Sequence, residues 1–420
     1  SVLPHLQAYG VSVNIVFELD QLESRTQRIE ALLDCVLAPE PLPEGRRLLL
    51  HLVGTLAELR GVRQLFARHY SLLARQVTDR SAETGEHYIT TTPAQYRDML
   101  RRAAGGGSVI ALTVFAKFAV LGFGMTAFWT GFWSGANYAA SFVIVMLLHW
   151  TVATKQPAMT APALAATLPG GRASSDEEVE AFVDRVAQLI RSQMAGIAGN
   201  LALCAPIVLA VQWLSAKLLG TPLVGVADAH HVLDSITLLG PTALFAAFTG
   251  VLLFASSLVA GWAENWFVFH RLDSAIAWNP RIVATLGPAR ARRWSAWWRG
   301  HVSGVAGNVS LGMLLGLVPA LTGFFGLPLD VRHVTLASGQ LGAAAGALGW
   351  TLLAEPAFWW CVAGIAVTGV LNVGVSFWLA FKVALRSRGV MVQDRFRIGL
   401  AVRQRLLKEP MSFLRPPPPS

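Results

Sequence analysis

The chain has 420 residues, 54% hydrophobic and only 14% charged, against roughly 25% charged in an average soluble domain. That balance excludes an ordinary soluble protein and points to a membrane protein. The formal net charge of +9 would suggest nucleic acid in a soluble protein, but here the placement of the charge carries more than its sum.

Residues 1–103 read as a cytoplasmic helical domain. Ile15, Phe17, Leu19, Leu22, Ile29, Leu32 and Leu33 recur at helical spacing, as do apolar positions over 48–73. The segment has twelve arginines and no lysine, read as solvated or facing anionic lipid headgroups. Its end is a turn-like break at Thr84-Gly85-Glu86-His87-Tyr88-Ile89. Thr92-Pro93 then supplies an N-cap and an N1 proline for a helix carrying Tyr96, Arg97, Arg101 and Arg102 into the membrane. The chain starts with Ser and shows no signal-type apolar stretch, so it is expected to be part of a longer polypeptide.

Residues 104–385 read as an all-α transmembrane domain. A hydrocarbon core of about 30 Å needs about 20 helical residues, and six stretches qualify: 108–128, 131–152, 194–216, 242–263, 302–325 and 358–380. Phe128, Trp129, Phe132 and Trp133, around the turn expected at 129–130, fit an interfacial aromatic belt. The word Gly196-Ile197-Ala198-Gly199-Asn200 returns as Gly304-Val305-Ala306-Gly307-Asn308, and a weaker copy places Ala104, Gly107 and Ser108 at the Gly, Gly and Asn positions. Three hairpin repeats of two spans are therefore expected.

Thirty-one of the 34 Lys and Arg residues fall in 1–107, 153–193, 264–301 and 381–420. By the positive-inside rule both termini are cytoplasmic, in a bacterial inner membrane protein of six spans. The small-residue stretch 337–353 could cross as a seventh helix, but that would reverse the tail. It is read as re-entrant or surface-lying, with 232–239 as its counterpart. In residues 290–299, Trp294, Trp297 and Trp298 share one helical face opposite Arg292 and Arg299, the pattern of a helix lying in the headgroup interface. The basic tail, 386–420, ends in four prolines before Ser420 and is expected to be disordered or a surface strap.

Lys117 is the sharpest candidate within a span, because an ionisable side chain there is costly and marks a functional site by default. Asn137, Asn200 and Asn308 are expected to turn inward and bond across helices. Glu264 and Asn265, flanked by Trp262 and Trp266, are further interior candidates. Asp228, His230, His231 and Asp234 have ligand-type side chains at short spacing, with His333 at the related place in the last hairpin. They would hold zinc only if they converged. The three cysteines, Cys35, Cys204 and Cys361, form neither a metal spacing nor a disulfide framework. No cofactor motif, P-loop or nucleophile elbow is present.

The break at Gly85, Glu86, His87 and Tyr88, the run 103–107, Asn137-Tyr138-Ala139, Thr154-Lys155-Gln156-Pro157-Ala158-Met159-Thr160, the Gly-Asn repeats and Arg332-His333-Val334 resemble the bacterial membrane proteins described as site-specific recombinases, the Gcr-like family. The resemblance covers most of the chain and implies a DNA-processing activity and a longer N-terminus. The tyrosine-recombinase constellation needs His-x-x-Arg beside the scissile phosphate, and none of the ten histidines has arginine three positions on. Two readings therefore stand from the residues: a transporter, channel or lipid-handling bundle, and a membrane-anchored DNA-processing factor. A non-catalytic scaffold is a third. The expected partners are the bilayer and its anionic headgroups, with DNA bound only without sequence preference.

Overall fold

The computed structural model describes residues 13–37, 90–152, 176–387 and 392–416, with a few single positions between them. All elements in those residues are helical: α1 (Val13–Leu37), α2 (Pro93–Gly122), α3 (Ala127–Leu147), α4 (Asp176–Leu219), α5 (Val226–Ile236), α6 (Thr242–Phe269), α7 (Leu272–Trp278), α8 (Pro280–Leu286), α9 (Pro288–Phe324), α10 (Val334–Leu348), α11 (Pro356–Ser387) and α12 (Val392–Lys408), with short 3-10 turns at Trp350–Ala354 and Pro410–Phe413. Most of the expected N-terminal domain lies outside the described residues, as do Gly85, Glu86, His87, Tyr88, Lys155, Gln156 and Pro157.

Five helices, α2, α4, α6, α9 and α11, are long and apolar enough to cross a membrane. The sixth expected span corresponds to α3, which is uncharged and has 21 residues. Its polar Thr130, Ser134, Asn137, Tyr138 and Ser141 dilute its apolar character, and it is not among the five. The turn before it lies at 123–126 rather than 129–130, because Gly124 takes φ 62° and ends α2 early. Phe128, Trp129, Phe132 and Trp133 therefore sit inside the first two turns of α3 as an edge-to-face ladder, with centroids 5.4, 5.7 and 5.4 Å apart. At the start of α2 the Thr92 hydroxyl accepts from Gln95 N–H, and the Gln95 side chain accepts from Thr92 N–H, a reciprocal cap on the expected boundary.

Two helices extend well beyond a bilayer. The α4 helix runs unbroken for 44 residues and α9 for 37, or about 66 and 55 Å. Trp294, Trp297 and Trp298, read from sequence as part of an interfacial helix, lie on the N-terminal part of α9, continuous with its apolar run. This part is braced by α7: the Ser295 hydroxyl donates to the Asp273 carbonyl at 2.6 Å, and Arg299 pairs with the Asp273 carboxylate at 3.0 Å.

The order of packing differs from three self-contained hairpins. The α2 and α3 helices touch, but α4 does not pack on α6, nor α9 on α11; instead α2 packs on α4, α3 on α9, and α6 on both α9 and α11. Followed from neighbour to neighbour, α4, α2, α3, α9, α6 and α11 form a ring, and α10 fills the remaining gap between α11 and α4. Glycines set three of these contacts. A Cβ on Gly199 would sit 2.6 Å from the Leu100 carbonyl of α2, one on Gly250 2.7 Å from Val375 Cβ of α11, and one on Gly312 2.5 Å from Ala139 Cα of α3. Apolar lipid tails offer no hydrophobic drive between helices, so such close backbone approach is what pairs them.

The α10 helix is no surface element. Val334, Thr335, Leu336, Ala337, Ser338, Gly339, Leu341, Gly342, Ala343 and Ala344 are all buried. Its 15 residues reach about 22 Å, short of a hydrocarbon core of about 30 Å, so length argues against a seventh span. After α9 the chain runs inward as an extended leg over 327–333, turns beside Asn200, and returns as α10 along α4, with Gly342 against Ala205 and Gly346 against Gln212. The expected counterpart, α5, packs against α10.

Over 392–416 the tail is largely helical and packs on α4. On α12, Arg405 and Arg397 form ion pairs with Asp184 and Asp176 of α4. Phe413 is buried, and buried Arg191 donates to the carbonyls of Ser412 at 3.3 Å and Arg415 at 3.4 Å.

Candidate functional site

Inside the ring lies a cavity of about 410 Å³, within the range of small-molecule sites. One wall is α2 with Lys117, Phe118 and Leu121; α3 adds Thr130, Ser134 and Tyr138, α9 adds Leu315 and Pro319, and α5 adds Asp228, His231 and Ser235. The remaining wall is the inward leg and the first turns of α10: Asp330, Arg332, His333, Leu336 and Gln340. Asp228 and His231 are exposed, whereas Tyr138 and His333 are buried. The cavity thus runs from a polar rim at α5 to a floor beneath the bend between the extended leg and α10.

The leg that carries the charges is held backbone-first. Arg332 N–H donates to the Thr249 hydroxyl at 2.8 Å, and its carbonyl accepts from Asn372 at 3.0 Å. Extended backbone inside a bundle leaves donors and acceptors that only neighbouring side chains can satisfy, and these two do so. The Arg332 guanidinium pairs with Asp330 at 2.5 Å, donates to the Ser235 carbonyl at 2.9 Å and lies over the Phe245 ring at 5.3 Å. Lys117 is half-buried on the facing wall, within the fields of Asp330 and Arg332. Among the described residues it makes no hydrogen bond or ion pair. The cavity therefore presents one compensated cation, Arg332, and one without a direct counter-ion, Lys117.

The other sequence candidates divide sharply. Asn200 is fully buried; its amide donates to the carbonyls of Ala103 at 2.6 Å and Thr151 at 2.8 Å, and its oxygen accepts from the Thr335 hydroxyl at 3.1 Å. It joins α2, the end of the first helix pair, α4 and α10. Asn137 donates to the Thr113 carbonyl at 3.0 Å, tying α3 to α2. Asn308 departs from its twin: it is buried, but makes no hydrogen bond among the described residues. The α9 helix meets α3 and α6 through small residues there, without the carbonyl that a chain end brings to Asn200. Buried Asn265 and half-buried Glu264 do not line the cavity. Trp297 stacks on His301 with centroids 4.5 Å apart, also away from it.

The four α5 residues split by helical phase. Asp228 and His231 face the cavity, while His230 and Asp234 do not line it. Among the described residues no group of three or more His, Cys, Asp or Glu side chains is placed to hold a metal ion, so the zinc arrangement is not formed. His333 reaches the cavity floor beside Phe142, with centroids 5.9 Å apart.

Two important residues, Asn372 and Asp330, were not singled out from sequence, and Arg332 was noted only within the Arg332-His333-Val334 motif. Asn372 lies in the middle of an apolar run, the same signal that marked Lys117, and repeats the work of Asn200 on the other side of the bend. Its amide donates to the carbonyls of Ala246 and Arg332, and its oxygen accepts from Val334 N–H at 3.2 Å. Arg332 carried a weaker signal, as one of only three Lys or Arg residues outside the four basic segments.

A family model described as site-specific recombinase matches residues 1–416. No curated protein and no solved structure matches the chain.

Proposed function

The chain belongs to the site-specific recombinase family, and from that premise we propose that it is an integral membrane protein of six spans that binds a small solute within its helix ring, acting as a transporter or channel. The observation that carries this reading is the cavity itself, lined by Lys117, Asp330 and Arg332. Charged side chains within a bundle are costly and typically line solute or ion pathways. The re-entrant leg supports it further, because irregular backbone at membrane depth is tolerated where it is covered by protein or lines a cavity. The basic loops favour cytoplasmic termini.

Strand transfer on DNA is the second reading, favoured by the family's description. A tyrosine nucleophile would have to meet a duplex phosphate. Of the described tyrosines, Tyr138 is buried in the cavity wall, and Tyr96 donates its hydroxyl to the Leu414 carbonyl at 3.1 Å. Tyr138 shares its cavity with Lys117 and Arg332, but a space of about 410 Å³ does not admit a duplex, and Tyr96 is engaged with the tail.

The test is native mass spectrometry of the full chain released from detergent, comparing wild type with Ala337→Trp, which fills the cavity. A small ligand carried by wild type and lost from the filled variant supports the reading. Identical small-molecule profiles, together with no thermal shift from any solute in a broad screen, would reject it.

A further inference from the structure

We propose that the cavity takes a monoanionic organic acid, whose charged group is held by Lys117 and whose apolar body lies against Phe118, Leu315 and Leu336. This rests on the solute-site reading and adds the ligand's chemical class. The titratable groups that face the space are Lys117 from α2, Tyr138 from α3, Asp228 and His231 from α5, and Asp330, Arg332 and His333 from the leg. Asp228 is exposed at the rim, where water screens it. In the inner part, Asp330 is already bound to Arg332 at 2.5 Å, which leaves the Lys117 ammonium as surplus positive charge.

A half-buried surplus ammonium within a helix ring is stabilised by a counter-anion that brings its own acceptor atoms. The first turn of α10 adds to the same sign, since Leu336 and Ala337 in that turn line the floor, and a helix N-terminus carries positive partial charge. Size and lining decide what kind of anion fits. A cavity of about 410 Å³ is far larger than a halide requires, and its aliphatic and aromatic surfaces would strand a polyanion beside unpaired apolar walls. A single acidic head on an apolar body satisfies both parts.

The full chain in nanodiscs of zwitterionic lipid is titrated with benzoate, its neutral isostere benzamide, and the cation benzylamine, by ligand-observed NMR. Benzoate should bind at least about tenfold more tightly than either analogue, as expected when a charge-assisted hydrogen bond is lost. Lys117→Met should abolish the preference and Lys117→Arg should retain it, with melting temperatures measured in parallel to establish that both variants fold. Equal binding of benzamide, or preference for benzylamine, overturns the anion assignment while leaving a solute site. A benzoate preference that survives Lys117→Met in a folded protein overturns the role of Lys117. Binding of none of the three overturns the proposal, and the cavity-filling comparison then decides separately whether any solute site exists.

Discussion

Asn200 on α4 and Asn372 on α11 grip one bend of the chain from two sides. Asn200 accepts from the Thr335 hydroxyl, and Asn372 accepts from Val334 N–H while donating to the Arg332 carbonyl. Each also reaches a ring neighbour's backbone, Ala103 for Asn200 and Ala246 for Asn372. Two carboxamides thereby set both the helix pairs and the position of the leg that brings Asp330 and Arg332 to the cavity.

Replacing either carboxamide should leave buried carbonyls without donors. Asn200→Leu and Asn372→Leu are each expected to cost about 1–3 kcal/mol, seen as a lower melting temperature in detergent with insertion intact. Asn308→Leu, at the twin position without a hydrogen bond, should change stability by less than about 1 kcal/mol. Equal losses at all three sites would contradict this division.

The glycine contacts make a contrast on a single helix. Gly312→Val would drive a side chain into the Ala139 backbone and should cost at least about 1–3 kcal/mol, whereas a Cβ at Gly323 meets nothing within 4 Å. Gly323→Ala should therefore be neutral or slightly stabilising. Thermal unfolding of the two variants measures the difference, and a tolerant Gly312 would refute the α3–α9 pairing.

Because α10 is too short to cross, both ends of the re-entrant segment should lie on one side. Reporter fusions after Gly220, Leu329 and Gly349 are expected to read periplasmic, and those after Arg299 and Arg388 cytoplasmic. Opposite readings at Leu329 and Gly349 would make α10 a true span and move the C-terminus outside.

The docked tail predicts a proteolytic signature. Arg191→Ala removes the donors to the Ser412 and Arg415 carbonyls, so trypsin should cut after exposed Arg403 several-fold faster than in wild type. An unchanged rate would mean that the ion pairs of α12 with α4 hold the tail alone.

On the DNA reading, purified protein should form no covalent link with duplex DNA, and its arginines should give only weak binding that fades with salt. An adduct lost in Tyr96→Phe would overturn the transport reading.

The all-helical class, the apolar character of the long helices and the cap at Thr92 were legible in the residues, because each depends on local spacing or on local composition. The cost of a charge or amide in a span is equally local, which is why Lys117, Asn137 and Asn200 stood out, and the same rule applied evenly would have added Asn372. Which helices pair is not local. The repeated word at Gly196 and Gly304 suggested equivalent hairpins, yet Asn200 met two carbonyls and Asn308 met none, because only one of them faces a chain end that needs a donor. Likewise, nothing in spacing links Lys117 to Asp330 and Arg332. In lipid, helices choose neighbours by close backbone approach and satisfied polar groups rather than by burying apolar surface, and that complementarity exists only once the ring has assembled.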